Sequence, residues 1–348
     1  MRHKIIYFLT FISIYIPLNT LPSRAQETNS KTTKSQLTEV RPNLSEPTQV
    51  SVGIYLVDFD KFDEQNESFK LDGYLFLTWK DQRLAFQANQ NNLGSKTYKP
   101  GEIWLPDVHF ANVELKREKA YTQIKVNPDG TVNYKERFKG TFKSEMDVRR
   151  FPFDRQKLKL VLESPLNDTE QVIFNVDKSK TGRSSEAFLT GWKIGEQNAV
   201  AEITKSEVEN IEENQYIYEI DLFRDSDSYF WNIIVPLLLI IAVSFTVFWS
   251  RSFESNTVIS FSSLLSAIAF NIVIAEELPK VAYLTFINGF ILISYLVICL
   301  AIIQIVIKHY LNAEKKEDIS MKMDRICRWL FPTSFGISNL ILILIFLI

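Results

Sequence analysis

The pattern of hydrophobic and polar residues changes about two thirds of the way along the 348-residue chain. Up to about residue 226, short runs alternate between apolar and polar residues, as at 69–79, and turn-forming sequences separate the runs. Alternation with a period of two predicts half-buried β-strands. After that point, apolar residues form four long runs, each long enough to cross a bilayer as a helix.

Residues 48–226 are predicted to form an immunoglobulin-like β-sandwich. Short strands at this spacing, with no long helix between them, are typical of that fold. The sequence Asn127-Pro128-Asp129-Gly130 is a strong turn signal between two of the strands. The predicted strands are 51–58, 69–79, 121–126, 131–134, 158–162, 171–176, 192–194 and 216–222.

Residues 227–348 are predicted to form a four-helix membrane domain, with apolar segments at 230–250, 253–280, 281–307 and 326–348. The first segment contains Pro236, which membrane helices tolerate. The fourth is expected to be broken by Arg328 and Pro332 near its start.

The second apolar segment is too polar to face lipid along its whole surface. It contains eight serine, threonine and asparagine residues and has a glutamate near each end. An ionisable side chain in a membrane costs about 2.5–3.5 kcal/mol at the bilayer centre unless it meets water or a partner. The pattern predicts a water-filled pore lined by several copies of one helical face. That face consists of Glu254, Val258, Ser262, Leu265, Ala269, Ile272 and Glu276. Alternatively, this is a plain membrane helix whose hydroxyls bond its own carbonyls or neighbouring helices.

The N-terminus is predicted to be an export signal at 1–25, with a basic start, an apolar run and Ser23-Arg24-Ala25 as the cleavage site. An uncleaved anchor is the alternative. Polar residues at 26–47 predict a disordered lead-in. Basic residues are more frequent in the first-to-second and third-to-fourth connections, which places the N-terminal domain outside the membrane. These residues are Arg251, Lys308, Lys315, Lys316, Lys322 and Arg325.

Composition argues against several classes of function. The formal charge of −2 gives no attraction for nucleic acid. The two cysteines, Cys299 and Cys327, lie in membrane-like segments, and the three histidines are far apart. No catalytic or metal-ligand spacing is recognisable, so we expect no enzyme, no cofactor and no metal site.

Several short motifs occur in order along the chain: Trp79-Lys80-Asp81-Gln82-Arg83-Leu84, Trp104-Leu105-Pro106-Asp107 and Phe151-Pro152-Phe153-Asp154, followed by Arg224 and Pro236. In this order, and with four helices, the chain resembles the pentameric ligand-gated ion channels of the Cys-loop receptor superfamily, and especially their prokaryotic proton-gated cation channels. Ser144 and Leu158 stand where the bridging cysteines of the superfamily would be. That departure matches prokaryotic members.

The resemblance implies a homopentamer around a central pore. Glu254 would form a ring at the cytoplasmic mouth, and anionic rings admit cations. Leu265, Ala269 and Ile272 would make the apolar constriction that closes by dewetting. Val258 departs from the small hydroxyl residue usual at its position.

The resemblance also implies a gating interface between the sandwich and the helices. Glu64, Asp154 and Arg224 would meet there as an ion-pair cluster. Other residues of this interface would be Asp63, Arg149, Arg150, Pro279 and Tyr283. Taken singly, each charge is equally consistent with an ordinary solvated loop residue.

The agonist is predicted to be the proton. The loop at 204–213 has no aromatic residue to bind a quaternary ammonium ion and contains four glutamates. Clustered carboxylates such as Glu213 in this loop could sense protons if burial or mutual repulsion raises their pKa. The resemblance implies two further candidate sensors, Asp58 and Glu67, which match acidic positions of the proton-gated channels. Ala267 replaces a histidine of the proton-gated relatives, which weakens this prediction.

The expected partners are further copies of the chain, the lipid bilayer, permeant monovalent cations and protons, in a bacterial plasma (inner) membrane. Three alternatives remain open: gating by an unknown small ligand, an anion-selective pore, and a membrane-tethered sensory module that does not conduct.

Overall fold

The computed structural model describes residues 40–88, 94–114, 117–205, 212–275 and 280–347. The predicted export signal, most of the lead-in, Glu276, Pro279 and the tip of the 204–213 loop lie outside these residues.

Two sheets form the N-terminal domain. The first has the strand order β3-β5-β6-β2-β1-β8, with β9 also paired to β1, and the second has the order β10-β11-β7-β4. Pairing is antiparallel except where β1 meets β8 and β9. The strands are β1 (Thr48–Asp63), β2 (Ser68–Lys80), β3 (Lys96–Tyr98), β4 (His109–Phe110), β5 (Glu118–Val126), β6 (Thr131–Lys143), β7 (Arg155–Glu163), β8 (Val172–Val176), β9 (Gly182–Arg183), β10 (Trp192–Lys205) and β11 (Glu212–Arg224).

Alternating side chains of both sheets meet in one core. In β11, Tyr216, Tyr218, Ile220 and Leu222 are buried while the residues between them are not. This alternation is the signal that predicted the strand. Three strands were not predicted, β3, β4 and β9, because two or three residues are too few to show a period.

Four long helices follow: α1 (Asp227–Phe248), α2 (Phe253–Ile274), α3 (Phe286–Ala313) and α4 (Glu317–Phe346). All four are long and apolar enough to span a membrane. A π-helical turn at Phe230–Ile234 precedes Pro236 in α1. Such a local adjustment accommodates a residue that has no N–H to donate.

The prediction of a broken fourth helix was wrong. α4 runs without interruption through Pro332 and begins at Glu317, nine residues before the predicted start. Its first turns are polar, and hydropathy alone therefore missed them. α3 likewise continues to Ala313, so Lys308, which the sequence placed in a connecting loop, lies inside a helix.

The two domains meet where the β6–β7 loop, residues 144–154, enters the outer end of the helices. Val148 and Phe151 of this loop are buried in the same apolar cluster as Ile233 of α1 and Ile287 of α3. The loop thus belongs to the strand domain by sequence and to the helix domain by packing.

Candidate functional site

A buried ion-pair cluster lies where the two domains meet. Arg224, the last residue of β11, donates from Nε to Asp154 Oδ1 at 2.6 Å and from Nη2 to Asp154 Oδ2 at 3.1 Å. The same guanidinium donates to both carboxylate oxygens of Glu64, at 2.8 and 2.7 Å. Planar bidentate pairs of this kind are the strongest and most directional that arginine makes. The cluster therefore links three segments that are distant in sequence: the loop after β1, the β6–β7 loop and the end of β11.

Aromatic rings surround this guanidinium. Its carbon lies 4.2 Å from the ring centre of Trp192 and 4.6 Å from that of Phe151. Burial alone would lower the pKa of Arg224, but the hydrogen bonds to Glu64 and Asp154 outweigh it and raise the pKa above its usual value. Arg224 therefore keeps a permanent positive charge, which two carboxylates hold in place.

The β6–β7 loop fastens this cluster to the helices. The carbonyls of Arg149 and Phe151 accept hydrogen bonds from the first N–H groups of α3, at Phe286 (2.8 Å) and Ile287 (3.3 Å). These N–H groups lack partners within the helix, so the loop caps α3. Val148 N–H donates to the Tyr283 hydroxyl at 3.2 Å. The loop therefore connects the strand domain both to α3 and to the segment that follows α2.

Other residues predicted for this interface have different partners. Asp63 pairs with Lys61 at 2.8 Å instead of joining the Arg224 cluster. Arg149 pairs with Asp147, and its hydrogen bonds lower the pKa of that carboxyl. Arg150 is exposed. The placement of these charges follows local turn geometry, which the sequence alone does not reveal.

The predicted pore face of α2 is turned outward from the protomer. Val258, Leu265 and Ile272 are 65%, 68% and 68% exposed, and Glu254, Ser262 and Ala269 are exposed as well. Side chains this apolar need a covering of lipid, protein or a pore that can dewet. The six described residues of the predicted face share one side of the helix.

Glu254 lies in the first turn of α2. The Ser252 hydroxyl caps the helix by accepting from Ser255 N–H at 3.3 Å. A carboxylate in the first turn is stabilised by the positive end of the helix dipole. Glu254 is exposed, so its charge is available to solvent at this end of the helix.

The predicted proton sensors lie in three different settings. Asp58 is half-buried and accepts from Phe59 N–H at 2.9 Å. Glu67 is exposed at the β1–β2 turn, with φ of 48°, and its carbonyl accepts from Ser144 N–H at 3.0 Å. Glu213 is half-buried on β11. The three do not form one cluster.

A fourth carboxylate, Glu163, was missed. In the strand pairing, Glu163 lies opposite His109 on β4 and opposite Gln215 on β11. Glu213 lies two residues before Gln215 on the same strand. Burial and the nearby charge of Glu213 raise its pKa, although His109 opposes this. Only the strand order of the second sheet brings these residues together, so no local sequence signal could have found them.

Comparison with known proteins decides the family. The model of the neurotransmitter-gated ion-channel ligand-binding domain matches residues 29–225. The chain belongs to the pentameric ligand-gated ion channels. It is 39% identical over 305 residues to the proton-gated ion channel of Gloeobacter violaceus, covering 88% of this chain and 85% of that protein. The channel thus has an extracellular β-sandwich, four membrane helices and a pentameric assembly, which confirms the predicted architecture.

Vertebrate receptor subunits are more distant relatives of the channel. It is 25% identical to the theta subunit of the γ-aminobutyric acid receptor of Mus musculus, over 78% of this chain and 44% of the subunit. It is also 25% identical to the beta-4 subunit of Gallus gallus, over 83% of this chain and 61% of the subunit. The channel spans less than two thirds of either subunit.

The channel closes its β6–β7 loop without a disulfide. The Ser144 hydroxyl donates to the Lys157 carbonyl at 3.1 Å, and Leu158 is buried in the sandwich core. At the two positions where the superfamily would have bridging cysteines, this chain therefore has a hydrogen-bonded serine and a buried leucine.

Part of the polarity of α2 faces the interior of the protomer. Asn256, Ser260 and Ser263 are buried on the side opposite the exposed face. These three were not part of the predicted pore face, and within the described residues Asn256 Oδ1 and Ser260 Oγ have no hydrogen-bond partner. Ala267, at the position of the relatives' histidine, is buried too, and its carbonyl accepts from the Tyr295 hydroxyl at 3.2 Å. Among the described residues, no group of histidine, cysteine and acidic side chains is arranged to hold a metal ion.

Proposed function

We propose that this chain forms a homopentameric, cation-selective channel of a bacterial plasma membrane that extracellular protons open. The observation that carries the proposal is the outward face of α2, which is apolar except for Ser262 and has an exposed carboxylate, Glu254, at one end. Five copies arranged around an axis would enclose a pore with an acidic ring at its mouth. A family of ion channels gives no reason to expect an enzymatic activity.

The proposed ion path is lined by α2. Cations would pass the ring of Glu254 and then Val258 and Ser262. Leu265, Ala269 and Ile272 would form the closed gate, because a narrow apolar ring expels water. Glu276 would end the path on the extracellular side.

The proposed gating path runs through the Arg224 cluster. A rearrangement of the strand domain would move Glu64 or Asp154, and the rigid guanidinium would transmit that movement to the β6–β7 loop. The loop reaches α3 through the carbonyls of Arg149 and Phe151. It reaches the segment after α2 through Tyr283. Bistable packing at such an interface can turn a small displacement into a helix movement.

The proposed proton sensitivity rests on carboxylates of the strand domain. The relative of Gloeobacter violaceus is described as proton-gated. Burial and the nearby charge of Glu213 raise the pKa of Glu163. Asp58 and Glu67 are additional sensors. Protonation would relieve the repulsion and favour a different packing of the sheet.

Current recorded during a pH step tests the proposal. The channel is expressed with a surface tag, and the external pH is stepped between about 8 and about 4, a range that brackets ordinary and raised carboxyl pKa values. We expect inward current in acid and a reversal potential that follows the sodium gradient. Surface protein without acid-evoked current would reject proton gating, and a reversal potential that follows chloride would reject cation selectivity.

A further inference from the structure

A buried ion pair joins α3 to α4 on the side of the membrane opposite the β-sandwich. Lys308 Nζ lies 2.5 Å from Asp324 Oδ2, and the two side chains are only 8% and 11% exposed. Gln304 donates to the other carboxylate oxygen at 2.9 Å. Burying a charge pair costs several kcal/mol per ion, which the attraction between them does not reliably repay. A buried pair in a membrane domain therefore calls for a functional explanation.

The ammonium group of Lys308 has a second partner outside these two helices. It donates to the carbonyl of Ser250 at 2.9 Å. Ser250 lies in the four-residue connection between α1 and α2. The same carbonyl accepts from the Asn256 side chain at 3.2 Å. Donors from α3 and α2 thus converge on one oxygen of this connection.

Two further contacts hold the connection and its ends. Arg328 of α4 donates to the carbonyl of Phe248, the last residue of α1, at 2.9 Å. The ring of Phe253, the first residue of α2, stacks on His309 with ring centres 3.9 Å apart. Consecutive residues of α3, Lys308 and His309, therefore contact both sides of the point where α2 begins.

We propose that Lys308 is a positioning residue for the ion path, oriented by Asp324 and Gln304, and that it fixes the place where α2 and its carboxylate at Glu254 begin. Glu254 follows Ser250 by four residues and lies in the first turn of α2, so a displacement of the Ser250 carbonyl would displace the acidic ring. This role rests on the proposed function of Glu254 in the pore. The competing explanation is that the pair only fastens α4 to α3.

A double variant without either charge, called the neutral pair below, distinguishes the two explanations. Lys308→Met with Asp324→Leu removes both charges and the donor to Ser250 but preserves apolar packing between the helices, an exchange that proteins often tolerate without loss of stability. If Lys308 positions the mouth, this double variant assembles as a pentamer but loses roughly twofold in single-channel conductance, the scale on which one nearby charge concentrates cations in water. Lys308→Arg keeps charge and donor and should retain conductance. Lys322→Met, an exposed lysine of α4, is the matched control.

The background of Glu254→Gln shows whether the effect passes through the acidic ring. There, the neutral pair should cause no further loss. Wild-type conductance of the neutral pair would overturn the proposal, and so would an undiminished effect in the Glu254→Gln background. If the Glu254→Gln variant alone conducts as the wild type does, the proposed role of Glu254 in the pore is wrong. This result is distinct from those that would overturn the role of Lys308. If the neutral pair does not assemble, Asp324→Asn replaces it: a loss of conductance in assembled pentamers supports the proposal, and no loss overturns it.

Discussion

Arg224 and Asp154 form a two-point pair in which both side chains are almost completely buried, 2% and 1% exposed. They are 70 residues apart in sequence and belong to a strand end and to the β6–β7 loop. The backbone N–H of Arg224 also donates to the Asp154 carbonyl at 3.3 Å. The junction between the two domains of the channel is thus fixed by side chain and main chain together.

Arg224→Ala should destabilise the assembled channel by about 3–5 kcal/mol, because it leaves Asp154 buried without a counter-charge. Thermal unfolding of the purified pentamer, followed by tryptophan fluorescence, measures the loss. Arg150→Ala, which removes an exposed arginine from the neighbouring loop, should change the unfolding temperature little. Equal stability of the two variants would contradict the buried-pair explanation.

Phe151→Ala should weaken the docking of the β6–β7 loop on the helices. The ring is fully buried, and its centre lies 4.9 Å from that of Tyr229. Loss of a buried phenylalanine costs about 3–5 kcal/mol. We expect a smaller acid-evoked current at equal surface expression, whereas Phe188→Ala, which alters a ring that is 67% exposed, should leave it unchanged. An unaltered current in Phe151→Ala would mean that the loop does not transmit gating.

Glu254→Gln should lower single-channel conductance at least about twofold, since each of the five carboxylates that it removes attracts a cation about 8 Å away in water by about 0.5 kcal/mol. The reversal potential in a sodium chloride gradient should also move toward that of chloride. Glu317→Gln, an exposed acidic residue at the start of α4 on the same side of the membrane, serves as the comparison. Should both variants conduct as the wild type does, the acidic ring has no part in permeation.

Glu163→Gln should change how the stability of the channel depends on pH. Burial and Glu213 raise the pKa of Glu163 in the folded channel. A carboxyl with a raised pKa contributes stability that is fully present below its unfolded value, near 4.3, and is lost as the pH rises through the folded pKa. The variant should therefore match the wild type in acid and exceed it at neutral pH.

Unfolding temperatures at several pH values check this prediction. Glu145→Gln, which changes an exposed carboxylate on the β6–β7 loop, should show the wild-type pH profile. A wild-type profile in Glu163→Gln as well would remove this residue from the list of sensors. If protonation of Glu163 favours opening, the Glu163→Gln variant, whose side chain resembles the protonated carboxyl, should reach half-maximal current at a higher pH than the wild type.

Periodicity was sufficient to predict the outward face of α2, since Val258, Leu265 and Ile272 recur at helical spacing. It could not separate the polar residues that face outward from Ser260 and Ser263, which turn inward, because hydroxyls are compatible with both environments. The sequence is therefore sufficient to predict a property that depends only on the periodicity of one helix, such as which residues share a face.

The Arg224 cluster was predicted in a different way. Nothing local connects Glu64, Asp154 and Arg224, and only the resemblance to a family brought them together. Asp63 shows the limit of that reasoning: it neighbours Glu64 in sequence but points to Lys61. Glu213 was predicted as a sensor, but Glu163 and its proximity to Glu213 were missed, since that proximity depends on the pairing of β7 with β11.

A hydrogen bond from Ser144, and not a disulfide, closes the β6–β7 loop, and this makes a labelling experiment possible. Both thiols of the channel, Cys299 and Cys327, belong to α3 and α4, so a single cysteine introduced in the strand domain would be that domain's sole site for a maleimide dye. The protein could be kept fully reduced until the dye is added, because no cystine holds the loop in shape. Fluorescence from a dye at an exposed position of the β6–β7 loop, Glu145 or Arg150, could then be followed while the current is recorded, on a background that otherwise keeps its native residues.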